Sequence, residues 1–204
     1  MKTIKILIVS IFILTYSFTS GQSDSSQIFK KQFLIPKLTT ELGLGINASQ
    51  ITGVVISDLV QWNLKKRLSI ISYTSYAYNN AFLRTFNYIE TNYNYTLSQK
   101  FGIGTSFYSK KSTYTFSFLA GVKYESFKET LNNPKFEKVT VSVSSLSPDF
   151  GLMYNFKRGQ KKYFFNYKIY LPLYPYPFKT FDINAVDGNM ANFSLEFGIG
   201  MRLK

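Results

Sequence analysis

The stretch Phe193-Ser194-Leu195-Glu196-Phe197-Gly198-Ile199-Gly200-Met201-Arg202-Leu203-Lys204 alternates apolar residues with polar or very small ones. Side chains of a β-strand point to opposite faces in turn, so this is a strand with one apolar face and one polar, narrow face. Mid-strand glycines at 198 and 200 fit a crowded interior better than a wetted surface. Read with the N-terminus, the strand is expected to close a barrel in lipid.

Residues 1–21 carry Lys2 and Lys5, an apolar core from Ile6 to Leu14, and a small or polar run from Ser17 to Gly21. That is the layout of a cleavable export signal, with the mature chain expected to begin near Gln22. The apolar core is too short to span a bilayer as a helix, and no later segment approaches the roughly 20 apolar residues required. Any membrane passage must use strands. Residues 22–36 have no clean period and read as an N-terminal extension, which leaves 37–204 as a single β-barrel domain. With no cysteine, there is neither a disulfide nor a site for a lipid-modified N-terminal thiol.

From Gln22 onward 22 basic residues face 11 acidic ones, a net charge of +11. The excess gathers at Lys65-Lys66-Arg67, at Lys110-Lys111 and at Lys157, Arg158, Lys161 and Lys162, each between strand-like segments. Solvated turns are the plain reading, and contact with anionic headgroups the sharper one. Nucleic acid is not an expected partner of an exported chain without a binding motif.

Alternation also runs through 38–47, 85–97, 101–108, 114–125, 139–145, 150–156 and 163–173, and 68–79 reads as a further strand with aromatic and small residues mixed on both faces. Residues 51–64 read as a strand with Asp58 on its apolar face, or as a strand starting after Asp58; a short helix over 49–63 is the alternative. Ser98 to Lys100 reads as a tight turn like Lys65 to Arg67. Residues 127–138 read as loop, Ser147-Pro148 as a chain break, and 174–190, with Pro175 and Pro177, as a long loop. These segments add up to ten strands, an even number as bacterial barrels require, with eight as the alternative count. The expected fold is all-β, a closed antiparallel up-and-down transmembrane barrel.

Leu42, Leu44, Phe116, Phe118, Phe165, Ile169, Phe193, Leu195, Phe197 and Ile199 fall on the apolar faces and are expected to meet lipid. The opposite faces carry eight glycines and a charge set, Glu41, Glu90, Lys123, Glu125, Lys168, Glu196 and Arg202, expected to pair inside the lumen. Glu41 and Glu196 lie on the first and last strands, so closure would bring at least one of them to Arg202, Lys123 or Lys168. Trp62, Tyr95, Phe101, Tyr154, Phe156 and Tyr163 would form interfacial belts near the basic turns.

On these features, from about residue 37 to 204, the chain resembles the small outer-membrane β-barrel proteins of Gram-negative bacteria. The resemblance implies an outer-membrane location reached through the signal, membrane lipids as partners, and a monomer. Such proteins commonly end in an aromatic residue; this chain ends Arg202-Leu203-Lys204.

The chain has no histidine and no cysteine, which removes Ser-His-Asp and Cys-His nucleophiles and the common zinc and copper ligand sets. Gly102-Ile103-Gly104 and Gly198-Ile199-Gly200 lack the third glycine and helix of a nucleotide site, and 182–187 lacks calcium-loop spacing. No cofactor, metal or catalytic residue is expected. A non-enzymatic barrel with a filled polar lumen follows, serving envelope structure, loop-mediated binding or narrow permeation. A soluble exported barrel of lipocalin type, apolar inside around a lipophilic ligand, is the competing reading.

Overall fold

The computed structural model describes residues 36–48, 52–64, 67–78, 84–86, 89–131, 135, 137–159, 161–173 and 193–203. Residues 1–35, which hold the signal and the extension short of Pro36, the whole of the 174–190 loop and Lys204 lie outside the described residues.

The described residues form nine strands in chain order: β1 (Leu38–Ala48), β2 (Thr52–Asn63), β3 (Leu68–Tyr78), β4 (Arg84–Phe86), β5 (Ile89–Tyr108), β6 (Ser112–Leu131), β7 (Val139–Arg158), β8 (Tyr163–Pro172) and β9 (Phe193–Leu203). All pair antiparallel, in the order β3-β2-β1-β9-β8-β7-β6-β5, and the ring closes where β3 pairs with β5 from Leu68↔Thr105 to Tyr78↔Tyr95. First and last strands meet along their length, from Leu38↔Leu203 to Ala48↔Phe193. The short strand β4 pairs only with the start of β5 and stands outside the ring. The barrel therefore has eight strands. A closed ring leaves no unpaired edge in its wall.

The ten-strand count fails because two pairs of segments are single strands. Residues 85–97 and 101–108 belong, but for the separate β4, to the continuous β5, and Ser98 to Lys100 is no turn. It looked polar enough for one because Ser98 and Lys100 point into a polar lumen, while Gln99 points outward and bonds Thr74 and Ser72 on β3. Its likeness to the genuine turn at 64–68 was compositional only. Likewise β7 runs through Ser147-Pro148. The carbonyl of Phe150 accepts from Leu173 N–H at 3.0 Å, so the backbone of residue 148, two positions earlier, faces the same side. The described part of β8 ends opposite Gly151, so the missing proline N–H takes no bond from the ladder.

Residues 127–131, read as loop, continue β6. Its end pairs with Ile89–Tyr93 of β5 and with Val139–Ser144 of β7. With β4 these segments form a sheet flap standing beyond the ring on the side of the long loops. A register shift between Tyr93 and Tyr95 marks where the flap leaves the wall.

Residues 52–63 are strand throughout, so the helix alternative does not hold. Asp58 sits on the outer face in register with Leu42 and Thr74.

Candidate functional site: the filled lumen and the outer wall

Strand alternation decides which side chains enter the lumen. In β1, Thr39, Glu41 and Asn47 are buried while Leu42, Leu44 and Ile46 are exposed; Leu42 is 60% exposed and Glu41 1%. In β9, Glu196 is fully buried and Phe197 is 60% exposed. The arrangement is that of a globular protein turned inside out: ions within, hydrocarbon without.

Eight charged side chains are buried among the described residues, four Lys against three Glu and one Asp, and they pair one to one. Near the short-turn rim Lys157 Nζ meets Glu41 at 2.5 Å, and Asn155 donates to both Glu41 oxygens at 3.1 and 2.9 Å. At mid-height Lys168, directly cross-strand from Glu196, meets it at 3.0 Å. Glu196 also accepts from Ser57 Oγ, from Tyr73 Oη at 2.5 Å and from Ser194 Oγ at 2.9 Å. Towards the loops Lys100 meets Asp149 at 2.7 Å, and Tyr170 Oη donates to the same carboxylate at 2.6 Å. Lys123 meets Glu125 at 3.0 Å. Several of these contacts cross the lumen: Tyr73 of β3 reaches Glu196 of β9, and Lys157 of β7 donates to Gln61 of β2 at 2.7 Å. Charged hydrogen bonds in a confined space are stronger than in water, and here they brace opposite walls.

Glycines make the room. Glu41 faces Gly200, Glu196 faces Gly45, and Lys100 faces Gly121 in the cross-strand register, a small residue opposite each large one. A Cβ at Gly43 would fall 2.6 Å from Lys168 Nζ and 2.8 Å from Glu196 Oε2, inside the central pair. Between the ion pairs lies an apolar wedge of Leu59, Ile71, Leu119 and Met153, against the stacked rings of Tyr73 and Tyr170. Lys100 Nζ lies 4.2 Å over the Tyr170 ring. On the loop side a cavity of about 20 Å³, lined in part by Asn47, Tyr73, Lys100, Asp149 and Ser194, is the size of one water molecule.

Of the charge set read from the sequence, the structure brings Glu41, Lys123, Glu125, Lys168 and Glu196 into the lumen. Glu196 meets Lys168, one of the three bases named for it. Arg202 does not join an acid: it lies 4.7 Å over the Phe164 ring and donates to the carbonyls of Lys161 and Gly159, both at 2.6 Å. It latches the β7–β8 turn at the rim, where those carbonyls are closer than any carboxylate partner. The Glu90 side chain lies outside the described residues. Lys100, Asp149 and Lys157 were missed as lumen groups, having been read as turn or loop residues. Parity was the available signal, since Lys100 shares it with Gly102 and Gly104, and Asp149 and Lys157 share it with Gly151.

The outward residues form an apolar wall. Leu42, Leu44, Phe116, Phe118, Phe165, Phe197 and Ile199 are exposed, and Ile169, Phe193 and Leu195 are half-buried on the same face. Aromatic rings collect at both ends of the wall. Tyr76, Tyr95 and Tyr124 touch in a row on the loop side. Trp62, Tyr114, Phe156 and Tyr163 lie at the short-turn side, with Tyr114 and Phe156 in contact at 5.2 Å. Two of the residues expected beside basic turns stand elsewhere: Tyr95 is on the loop side, opposite Tyr78, and with no turn at 98–100 Phe101 stands mid-wall opposite Ser72 and Ala120. On β6 the belts are ten residues apart, Tyr114 to Tyr124. At about 3.3 Å per residue and a tilt of about 40° that spans about 25 Å, the height of an outer-membrane apolar band.

A closed eight-stranded antiparallel barrel with an apolar wall, two aromatic belts and a side-chain-filled polar lumen is the architecture of the small outer-membrane barrels. Comparison with solved structures agrees. The chain is similar to Neisserial surface protein A, with a TM-score of 0.56 and 9% identity, over 81% of this chain and 96% of that one. It is also similar to Ail, the attachment invasion locus protein of Yersinia pestis, with a TM-score of 0.50 and 8% identity, again over 81% and 96%. Both are small outer-membrane β-barrel proteins, and at such identities the likeness speaks for the fold. No protein-family model and no curated protein matches the chain.

Proposed function

We propose that this chain is a non-enzymatic outer-membrane barrel with a closed, non-conducting lumen, whose biological contacts are made on the loop side. The observation that carries the proposal is the inside-out distribution of polarity. A wall bearing Leu42, Ile56, Ile103, Phe118, Phe165 and Phe197, all more than 40% exposed, presents far more contiguous apolar surface than water tolerates. The lipocalin-type alternative needs those residues inside, around a ligand, and the observed faces are the reverse. Outer-membrane barrels have short periplasmic turns and longer external loops, which puts the β4–β7 flap on the outside. One structural neighbour carries attachment in its name, and a binding role for the flap is in keeping with that.

Catalysis has little to work with. Each of the four described lumen acids is held by its own lysine, and no His or Cys is present.

Folding into lipid vesicles tests the proposal. Phe197→Arg should abolish or severely impair insertion, since Arg on the lipid face costs about 2–4 kcal/mol near the midplane, whereas Ser194→Arg, on the lumen side, should impair it less. In planar bilayers the wild type should show no steady conductance. A more damaging Ser194 change would invert the faces, and steady ion conduction would contradict the closed lumen.

A further inference from the structure

Among the described residues, eight cations and no Asp or Glu gather on one rim. Lys37, the segments 64–68, 109–112 and 158–162, and the terminal 202–204 together contain 11 Lys or Arg and no Asp or Glu, equal to the excess of 11 carried from Gln22 onward. Elsewhere charges cancel. The lumen holds its four pairs, and in the sequence 79–94, 127–138 and 174–192 hold five bases and five acids. The described residues of the basic segments, Lys37, Arg67, Lys110, Lys111, Arg158, Lys161, Lys162 and Arg202, lie at the short-turn end of the strands.

Eight strands about 4.8 Å apart, tilted by about 40°, give a perimeter of roughly 50 Å, so the described rim residues carry about one cation per 6 Å. That spacing is within the Debye length of about 8 Å at physiological salt, so the collar repels itself unless anions sit against it. The cations lie just outside the aromatic belt: Arg67 is 5.6 Å over the Phe107 ring and Lys162 5.8 Å over the Tyr163 ring, while Lys111 and Lys161 are exposed. In a bilayer this is headgroup depth.

We infer that the short-turn rim is a binding collar for anionic phospholipid headgroups, phosphodiesters with a net negative charge such as phosphatidylglycerol, in the leaflet it faces. The inference rests on the membrane reading above. The partner is fixed by charge and depth: a collar of described donors with no Asp or Glu side chain among them, level with the phosphates of the surrounding lipid. Juxtamembrane basic residues gain about 1 kcal/mol each near an anionic surface.

The only tryptophan reports on this rim. Trp62 is 58% exposed on the outer wall, and the N–H of its neighbour Asn63 donates to the Lys37 carbonyl at 2.8 Å. The full chain is folded into phosphatidylcholine vesicles containing either brominated phosphatidylglycerol or brominated phosphatidylcholine, and Trp62 quenching is compared. About a five-fold preference for the anionic lipid is expected at low salt, the ratio that about 1 kcal/mol gives. It should fall towards unity at about 0.5 M salt, and Lys37→Gln with Arg67→Gln should reduce it. Equal quenching by the two lipids at low salt would overturn the collar while leaving the barrel in the membrane. Quenching by neither would overturn the membrane reading itself, and the collar with it.

Discussion

Replacing Glu196 by Gln should be among the most damaging single-atom changes available in this chain. The carboxylate is fully buried and receives Lys168, Tyr73, Ser57 and Ser194. An amide presents an NH₂ to at least one of these donors and leaves the Lys168 charge, itself 0% exposed, without a counter-ion. At 3.0 Å and an effective dielectric of about 20, the lost attraction is about 5 kcal/mol. Breaking buried pairs by removing one partner typically costs about 3–5 kcal/mol. The two routes agree, and about 3 kcal/mol is the expected floor. Lys168→Met should cost a similar amount by stranding Glu196, although Tyr73 and Ser57 still satisfy part of it. The double variant should cost less than the two singles added, because neither charge is then left alone. Urea unfolding of vesicle-folded protein, followed by Trp62 fluorescence, measures all three, with Lys111→Gln in the β5–β6 turn as a control expected within about 0.5 kcal/mol of wild type. Strict additivity of the two changes, or a Glu196→Gln effect no larger than the control, would refute a dry, paired lumen.

Gly43→Val should destabilise by several kcal/mol, since its Cβ alone would enter the Lys168–Glu196 pair; a fully stable variant in the same urea titration would mean the lumen has slack. Asp58→Leu should stabilise the vesicle-folded barrel by about 1–2 kcal/mol, as a carboxylate on the lipid face is unfavourable by less than the 2–4 kcal/mol of a mid-membrane base. A loss of stability would instead show that Asp58, level with Thr74 and Gln99, is held by something in the membrane.

Face assignment was legible because a two-residue period needs no knowledge of neighbours: every outward residue named in β1, β6, β8 and β9 follows from parity. Strand ends were not, and the reason is physical. In a soluble sheet a run such as Ser98-Gln99-Lys100 belongs in a turn, whereas a barrel with an ionic interior can bury Ser98 and Lys100 and let Gln99 bond outward to Thr74. The same polarity hid Lys157 beside the true turn at 159, where Gly159 takes a φ of 121°. Pairing within the lumen was legible only between neighbouring strands. Glu196 and Lys168 are cross-strand neighbours, but Glu41 reaches Lys157 across the interior, and Tyr73 reaches Glu196 likewise. Such contacts depend on the barrel's diameter, which strand count sets. Merging 85–97 with 101–108 and 139–145 with 150–156 gives eight strands, and with eight the opposite walls come within reach of one side chain.

Lipid exposure of the outer wall is the claim on which the rest depends, and the lack of any cysteine makes it directly measurable. Spin labels attached to Leu44→Cys and Phe197→Cys in vesicle-folded protein are tested for collision with oxygen, which concentrates in hydrocarbon, and with a water-soluble nickel complex. Both sites should be relaxed strongly by oxygen and weakly by nickel, with the contrast fading towards the belts at Trp62 and Tyr124. Strong relaxation by nickel at Leu44 and Phe197 would place the apolar wall in water and contradict the membrane barrel.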